Sequence, residues 1–280
     1  MHRSWLEDQL RPIIPEDRER SWLIRALTED GPGHLDESAW SLWATEAVKQ
    51  LDQGVPVQYI TGKAHFFGLV LEVNSHTLIP RPETEELVDL AIRALKQPGN
   101  ESARILDIGT GSGCISLALN NQLPGTRIMA WDVSPEALAV ATANASTYSL
   151  EIEWSRKDAL QEEAWSDLFG LDLIISNPPY IAHTEKEFMD HGVLAHEPHL
   201  ALFAPGQDPL IFFRVMAEQG RRALVKGGLI LCECSTFTAM EVASIFTTAG
   251  YQDVEVIQDL QGLDRFCQAR WLDQPPAGLV

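Results

Sequence analysis

From about residue 103 onward, short apolar runs end in a glycine or polar break and then give way to helical patterning, again and again. That alternation of strand and helix is the pattern of a parallel sheet with helices packed on both faces. Arg104-Ile105-Leu106-Asp107-Ile108 reads as the first such strand, and Arg127-Ile128-Met129-Ala130-Trp131 as the second. Leu171-Asp172-Leu173-Ile174-Ile175-Ser176 is apolar enough to lie buried on both faces. In open sheets of this kind, ligands gather at the carboxyl ends of the strands. The residues that follow each run are therefore where chemistry is expected.

The first strand runs into Gly109-Thr110-Gly111-Ser112-Gly113. Glycines there permit a tight turn and a close approach of backbone to a ligand at the next helix. A dinucleotide fingerprint would need glycine at 114, where Cys114 stands. Gly-x-Gly-x-Gly after Asp107 fits a nucleoside cofactor without a pyrophosphate better, although a glycine-rich loop alone is a weak signal. The second strand ends in Asp132, about 20 residues beyond the loop, where a carboxylate commonly holds ribose hydroxyls. Its bland alternative is a helix cap, because Ser134 and Pro135 open an alanine-rich helix with Asn144 near its end. Asp158, after the third strand, stands where an adenine amino group can be held; a solvated loop acid is the competing reading.

The third apolar run ends in Asn177-Pro178-Pro179-Tyr180. Two prolines remove backbone N–H groups and stiffen the loop, which leaves its carbonyls free to accept hydrogen bonds. An Asn side-chain oxygen beside a backbone carbonyl makes a receptor for a planar NH2 group. Such a receptor suits methylation of an amide or an exocyclic amine.

The rest of the chain separates into two parts. Residues 1–54 carry apolar residues at helical spacing, as in Trp22-Leu23-Ile24-Arg25-Ala26-Leu27, and are broken by Gly31-Pro32-Gly33. Asp36 or Ser38 is positioned to cap the helix that holds Trp40 and Trp43. The four tryptophans in this part are expected to form the core of a small helical bundle. Residues 55–82 read as a β-hairpin connector, with strand character at Val57-Gln58-Tyr59-Ile60 and again over 68–73. Prolines flank Arg81 and direct the chain into a helix beginning near Glu83; between contact with a cofactor carboxylate and a salt bridge to Glu83 or Glu85, spacing favours the salt bridge. Residues 83–280 then hold the α/β domain.

A net charge of −19 argues against a surface that neutralises phosphates, so no direct nucleic-acid contact is expected. No apolar run is long enough to cross a bilayer, the start lacks a secretory pattern, and four cysteines show no framework spacing; the chain reads as cytoplasmic, with Cys232 and Cys234 as small core residues. His183, His191, His196 and His199 follow the Asn-Pro-Pro-Tyr loop. His196-Glu197-Pro198-His199 is one residue short of a zinc-binding His-Glu-x-x-His, and Pro198 opposes a helix presenting both rings, so no metal site is assigned.

Several segments together resemble one family. They are Pro56-Val57-Gln58-Tyr59-Ile60-Thr61-Gly62, Leu78-Ile79-Pro80-Arg81-Pro82-Glu83-Thr84-Glu85, the glycine loop, Asn177 to Tyr180, Glu197-Pro198-His199-Leu200-Ala201-Leu202 and Asp259-Leu260-Gln261-Gly262-Leu263-Asp264-Arg265. The chain resembles S-adenosylmethionine-dependent methyltransferases, and among them the glutamine N5-methyltransferases of class I peptide-chain release factors. The first two segments discriminate, because Asn-Pro-Pro-Tyr is shared with DNA adenine methyltransferases. The resemblance implies a doubly wound, mostly parallel seven-stranded Rossmann-like α/β sheet preceded by a small helical domain that helps dock a protein substrate. It implies S-adenosyl-L-methionine held by Gly109, Thr110, Gly111, Ser112, Gly113, Asp132, Asp158, Ala159 and Asn177. It also implies a release-factor glutamine held by Asn177, Pro178, Pro179 and Tyr180, with Asn177 Oδ1 and the Pro178 carbonyl as acceptors and Tyr180 walling the slot. Neither a metal nor a covalent intermediate is needed, and a monomer is expected. Similar proteins often carry an aromatic where Ala159 stands, and a glycine-containing turn where this chain has Glu233-Cys234-Ser235-Thr236.

Two other classes compete. A nucleic-acid adenine N6-methyltransferase can use the same slot on a flipped base, but calls for a basic, aromatic-rich recognition region. A binding protein that keeps the cofactor fold without turnover would not require an intact Asn-Pro-Pro-Tyr.

Overall fold

Strands form where β-branched and leucine residues run without a break, and seven of them line up in one sheet. The computed structural model describes residues 2–96 and 102–272. Its first three helices are α1 (His2–Leu10), α2 (Asp17–Glu29) and α3 (Glu37–Asp52), followed by a short α4 (Val57–Thr61). Asp36 caps α3 by accepting from the Ala39 N–H at 2.8 Å. Leu6, Leu10, Leu23, Ile24, Leu27, Trp40 and Ala44 form a separate apolar core there, and Val57 joins it. Trp40 is buried and Trp5 and Trp43 pack against that core, whereas Trp22 is 51% exposed and so is not the core residue expected. The segment at Val57-Gln58-Tyr59-Ile60 is helix rather than the expected strand: Val57 and Ile60 turn onto the helical core, and tertiary burial overrides their β preference.

A two-stranded antiparallel hairpin follows, β1 (Lys63–Phe66) and β2 (Leu69–Glu72). Phe66, Leu69 and Leu71 enter the core of the large domain. Helix α5 (Pro82–Leu95) begins with proline at its first position, where no N–H is needed, after an extended Arg81.

The large sheet comprises β3 (Arg104–Ile108), β4 (Arg127–Asp132), β5 (Glu153–Arg156), β6 (Leu171–Ser176), β7 (Leu224–Glu233), β8 (Gln252–Gln258) and β9 (Asp264–Trp271). Their spatial order is β5-β4-β3-β6-β7-β9-β8. All pairs are parallel except β7 with β9 and β8 with β9. Helices α6 (Cys114–Gln122), α7 (Pro135–Tyr148), α8 (His191–His196), α9 (His199–Leu202), α10 (Ile211–Ala223) and α11 (Ala239–Thr248) lie in the connections between these strands. Alternate residues of β3 and β6 feed the two faces. Ile105, Leu173 and Ile175 meet Leu87, Val88 and Ile115 of α5 and α6, while Leu106 and Ile174 meet Phe213 and Phe246 of α10 and α11. Burying each phenylalanine stabilises the fold by about 2–3 kcal/mol.

The chain moves outward from β3 to β4 to β5, then returns to lay β6 on the other flank of β3. The order reverses between β3 and β6, so a crevice opens at their carboxyl ends. Ser176 Oγ donates to the Ile108 carbonyl at 2.7 Å and ties the two strand ends together. The glycine loop and Asn177 are thereby brought side by side.

Candidate active site

Asp107 lies fully buried behind the loop that leaves β3. Its Oδ2 accepts from Thr110 Oγ1 and from Ser116 Oγ, each at 2.7 Å. Burial pushes its pKa up to about 6, against the opposing pull of those two hydroxyls. Asp107 Oδ1 and Ser112 Oγ are buried without a hydrogen-bond partner among the described residues. The loop therefore has two sides. Gly109 and Gly111 line a cavity, whereas Thr110, Ser112 and Gly113 are turned into the fold.

That cavity has a volume of about 700 Å3, a size suited to a nucleoside-sized ligand. Asp132 stands on its wall, half-buried. Its Oδ2 accepts from the Gly111 N–H and its Oδ1 from the Ser134 N–H, both at 2.9 Å. Burial raises its pKa, opposed by these backbone donors. Asp132 is not the cap of α7; Ser134 Oγ takes that place by accepting from the Ala137 N–H. Each Asp132 oxygen keeps lone-pair capacity for a ribose hydroxyl. Asp158 and Ala159 also line the cavity. Asp158 is held by the Leu160 N–H and by Gln161 Nε2, both at 3.0 Å, and the Ala159 carbonyl accepts from Trp165 Nε1 at 2.8 Å. Trp131 borders the cavity but is 2% exposed and packs into the core, with Trp165 edge-on at 5.2 Å. Lys157 Nζ sits 4.6 Å from the Trp131 ring centre. Open glycines and two oriented carboxylates fit a nucleoside donor such as S-adenosylmethionine.

Asn177, Pro178 and Pro179 complete the cavity, while Asn177, Pro178 and Tyr180 also border a smaller space of about 180 Å3 on the other side. Asn177 and Pro178 both border the two spaces; the carboxamide of Asn177 is held from behind. Its Nδ2 donates to Thr84 Oγ1 at 3.0 Å. Thr84 Oγ1 donates in turn to Glu233 Oε2 at 2.8 Å, and the Tyr180 hydroxyl donates to Glu233 Oε1 at 3.1 Å. Tyr180 thus reaches away to an acid besides bordering the slot. Burial raises the pKa of Tyr180 above its ordinary range, reinforced by the Glu233 charge. Among the described residues no donor is bonded to Asn177 Oδ1 or to the Pro178 carbonyl. Two acceptors are left open where the two spaces meet.

Arg81 does not pair with Glu83 or Glu85. It binds the carboxylate of Glu197, whose Oε2 also accepts from the Ile79 N–H at 3.3 Å, and Glu85 instead accepts from the Phe67 N–H at 2.8 Å. The pair fastens the segment before α5 to the segment containing α8 and α9. The histidines there pack rather than converge: His183 stacks on Phe203 at 5.0 Å, His199 meets the same ring edge-on at 5.4 Å, and His196 Nε2 lies 3.4 Å from the Gln53 carbonyl. Among the described residues no group of three metal-ligating side chains occurs.

Thr84 and Glu233 are the functional candidates that local reading missed. Glu233 is the lone acid of its strand, closes the apolar run Leu229-Ile230-Leu231-Cys232 and is 3% exposed, a combination that marks a buried charge with a task.

A family model described as Methyltransferase small domain matches residues 85–207. The release factor glutamine methyltransferase of Bacteroides thetaiotaomicron is 42% identical over 220 residues, which cover 79% of this chain and 77% of that protein. Its counterpart in Flavobacterium psychrophilum is 40% identical over 238 residues, covering 85% and 82% respectively. A methyltransferase from Pyrococcus furiosus shares the fold, with a TM-score of 0.52 over 74% of this chain and 91% of that one, at 16% identity.

Proposed function

The chain belongs to the release factor glutamine methyltransferase family, and we propose that it methylates the side-chain N5 of the glutamine in the Gly-Gly-Gln motif of class I peptide-chain release factors, modulating translation termination. The observation that carries this reading is the pair of open acceptors, Asn177 Oδ1 and the Pro178 carbonyl, at the junction between the nucleoside-sized cavity and the smaller slot.

S-adenosylmethionine, when bound, supplies an electrophilic methyl group on a sulfonium. A glutamine amide nitrogen is a poor nucleophile, because its lone pair is shared with the carbonyl. Asn177 and Pro178 each accept one N–H of the substrate amide. The nitrogen is thereby held with its lone pair toward the cavity, a positioning effect worth several kcal/mol, on the order of 5. Positive charge develops on that nitrogen as the bond to carbon forms. Two preorganised acceptors stabilise it more in the transition state than in the ground state. Tyr180 walls the slot and Pro179 keeps the loop stiff. Gly109, Gly111, Asp132, Asp158 and Ala159 hold the donor, while Thr110, Ser112 and Gly113 shape the loop from behind.

The helical part at residues 1–54 helps dock the release factor, and residues 55–82 connect it to the methyltransferase domain. A net charge of −19 supports a protein substrate over a nucleic acid. Among the described residues no helix is long and apolar enough to cross a membrane. The chain acts in the cytoplasm as a monomer.

The test is Asn177→Ala, assayed with labelled methyl donor and an unmodified release factor, the label being located by peptide mass spectrometry. Loss of an oriented acceptor lowers kcat by about 10²- to 10³-fold. Methyl transfer within about tenfold of wild type would remove Asn177 from this role. Label on DNA adenine in a parallel reaction would overturn the substrate assignment.

A further inference from the structure

A carboxamide can stand either way round, and for Asn177 the difference is decisive. With Oδ1 toward the slot it receives an NH2 group; reversed, it would point its own N–H donors at the substrate's. Asn177 itself has no preference between the two. Thr84 does. Its Oγ1 lies 3.0 Å from Asn177 Nδ2 and 2.8 Å from Glu233 Oε2. A hydroxyl has one proton, and an ionised carboxylate can only accept. The second Glu233 oxygen already accepts from the Tyr180 hydroxyl. With Glu233 ionised, the Thr84 proton is therefore committed to it, and the threonine oxygen turns only lone pairs toward Asn177. Against lone pairs, Asn177 can set only its NH2 end.

We propose that Thr84 and Glu233 are positioning residues that fix the direction of the Asn177 carboxamide, so that its oxygen always faces the substrate amide. This rests on the reading of Asn177 as an acceptor for that amide. Both groups are buried, Thr84 at 2% and Glu233 at 3% exposure, so water cannot substitute for either partner. The relay brings together three separate elements: α5, the loop after β6 and the end of β7. Glu233 is faced by Thr84 and Glu83 from α5, by Tyr180 from the loop, by Arg265 from β9 and by its neighbour Cys234. Burial raises its pKa; Thr84, Tyr180 and Arg265 oppose that shift and Glu83 adds to it. When Glu233 takes up a proton on Oε2, it donates to Thr84. The threonine proton then swings to Asn177, and the carboxamide is free to reverse. Activity is lost on the acid side for that reason.

The experiment compares Thr84→Val, Thr84→Ser and Glu233→Gln with wild type and Asn177→Ala. The full chain is used with S-adenosylmethionine and an unmodified release factor, reading kcat, KM and the pH–rate profile, with donor affinity measured by calorimetry. Thr84→Val is expected to lower kcat on the order of 10- to 100-fold with donor affinity unchanged, and Thr84→Ser to restore most of the rate. In Glu233→Gln the new amide can donate to Thr84, so kcat falls and the acid limb contributed by Glu233 disappears. Thr84→Val within about threefold of wild type, beside an inactive Asn177→Ala, would overturn the relay and leave the acceptor reading intact. Equal impairment in Thr84→Val and Thr84→Ser would also overturn it, because packing rather than the hydroxyl would then matter. An active Asn177→Ala would bring down the acceptor reading itself.

Discussion

Gly111 and Gly113 are two residues apart in one loop, and an added methyl group should do opposite things at each. Both have positive φ, +57° and +83°, where an L side chain is strained by about 1–2 kcal/mol. A Cβ at Gly113 would meet Trp154 Cη2 at 3.0 Å, with Ala141 Cβ and Leu117 Cδ1 each at 3.2 Å. Those neighbours come from β5, α7 and α6, and each must give by a few tenths of an ångström to admit a methyl group. Overpacking of this kind adds about 1–3 kcal/mol, so Gly113→Ala should destabilise the fold by about 2–5 kcal/mol in all. A Cβ at Gly111 meets nothing within 4 Å, because the residue lines the cavity. Gly111→Ala should therefore lose only the smaller conformational amount, while placing a methyl group where the methyl donor approaches. Urea denaturation of both variants, with calorimetric titration of S-adenosylmethionine at a temperature where both are folded, separates the effects. Gly113→Ala is expected to unfold early yet bind normally, and Gly111→Ala to unfold close to wild type yet bind weakly. A Gly113→Ala protein within about 1 kcal/mol of wild type would refute the packing reasoning. Wild-type donor affinity in Gly111→Ala would show that the ligand does not approach that backbone.

Two further outcomes follow from the buried charges. Arg81→Ala should cost about 3 kcal/mol, since it strands the Glu197 carboxylate, whose side chain is 1% exposed, while the arginine is a third exposed. A double-mutant cycle with Glu197→Gln in urea checks this, and a coupling energy below about 0.5 kcal/mol would discount the pair. Asp107 holds its proton up to about pH 6 in the folded chain, against an ordinary value of 3.8. The folded state thus binds that proton more tightly than the unfolded one. The contribution favours folding below about pH 4 and declines by on the order of 3 kcal/mol as pH rises through 6. Wild type should lose that much relative to Asp107→Asn across this window; parallel stability curves would contradict it.

What sequence alone revealed were features written in consecutive residues. The strand before Gly109, the carboxylate at Asp132, the cap position at Asp36 and the strand ending at Asn177 each depend on neighbours a few places away. Val57-Gln58-Tyr59-Ile60 misled because its β-branched and aromatic residues have strand character, while burial against the N-terminal helices decides their conformation. Arg81 misled for another reason. Glu83 and Glu85 are near in sequence, yet α5 carries them away and Glu197, 116 residues on, closes over the guanidinium. Thr84 and Glu233 are 149 residues apart and meet only because β7 is laid beside β6. The loop Gly109–Gly113 was legible as a unit but not as two sides, since which residue faces the cavity depends on where Trp154 and Asp107 stand.

The hairpin has one more consequence. The outward edge of β2 is already sealed by α7: Tyr148 Oη accepts from the Val70 N–H and donates to its carbonyl, at 2.7 and 2.9 Å. Asn144 does the same for Glu72, accepting from its N–H through Oδ1 at 2.7 Å and donating to its carbonyl through Nδ2 at 3.0 Å. An unsealed strand there would be a template on which any extended chain can register, whatever its sequence. With the backbone groups of Val70 and Glu72 already engaged, a partner passing this arm finds no ladder to extend along that edge. Along that edge it must be met by side chains, and an edge that meets its partners by side chains can be choosy among extended peptides in a way an open strand edge cannot.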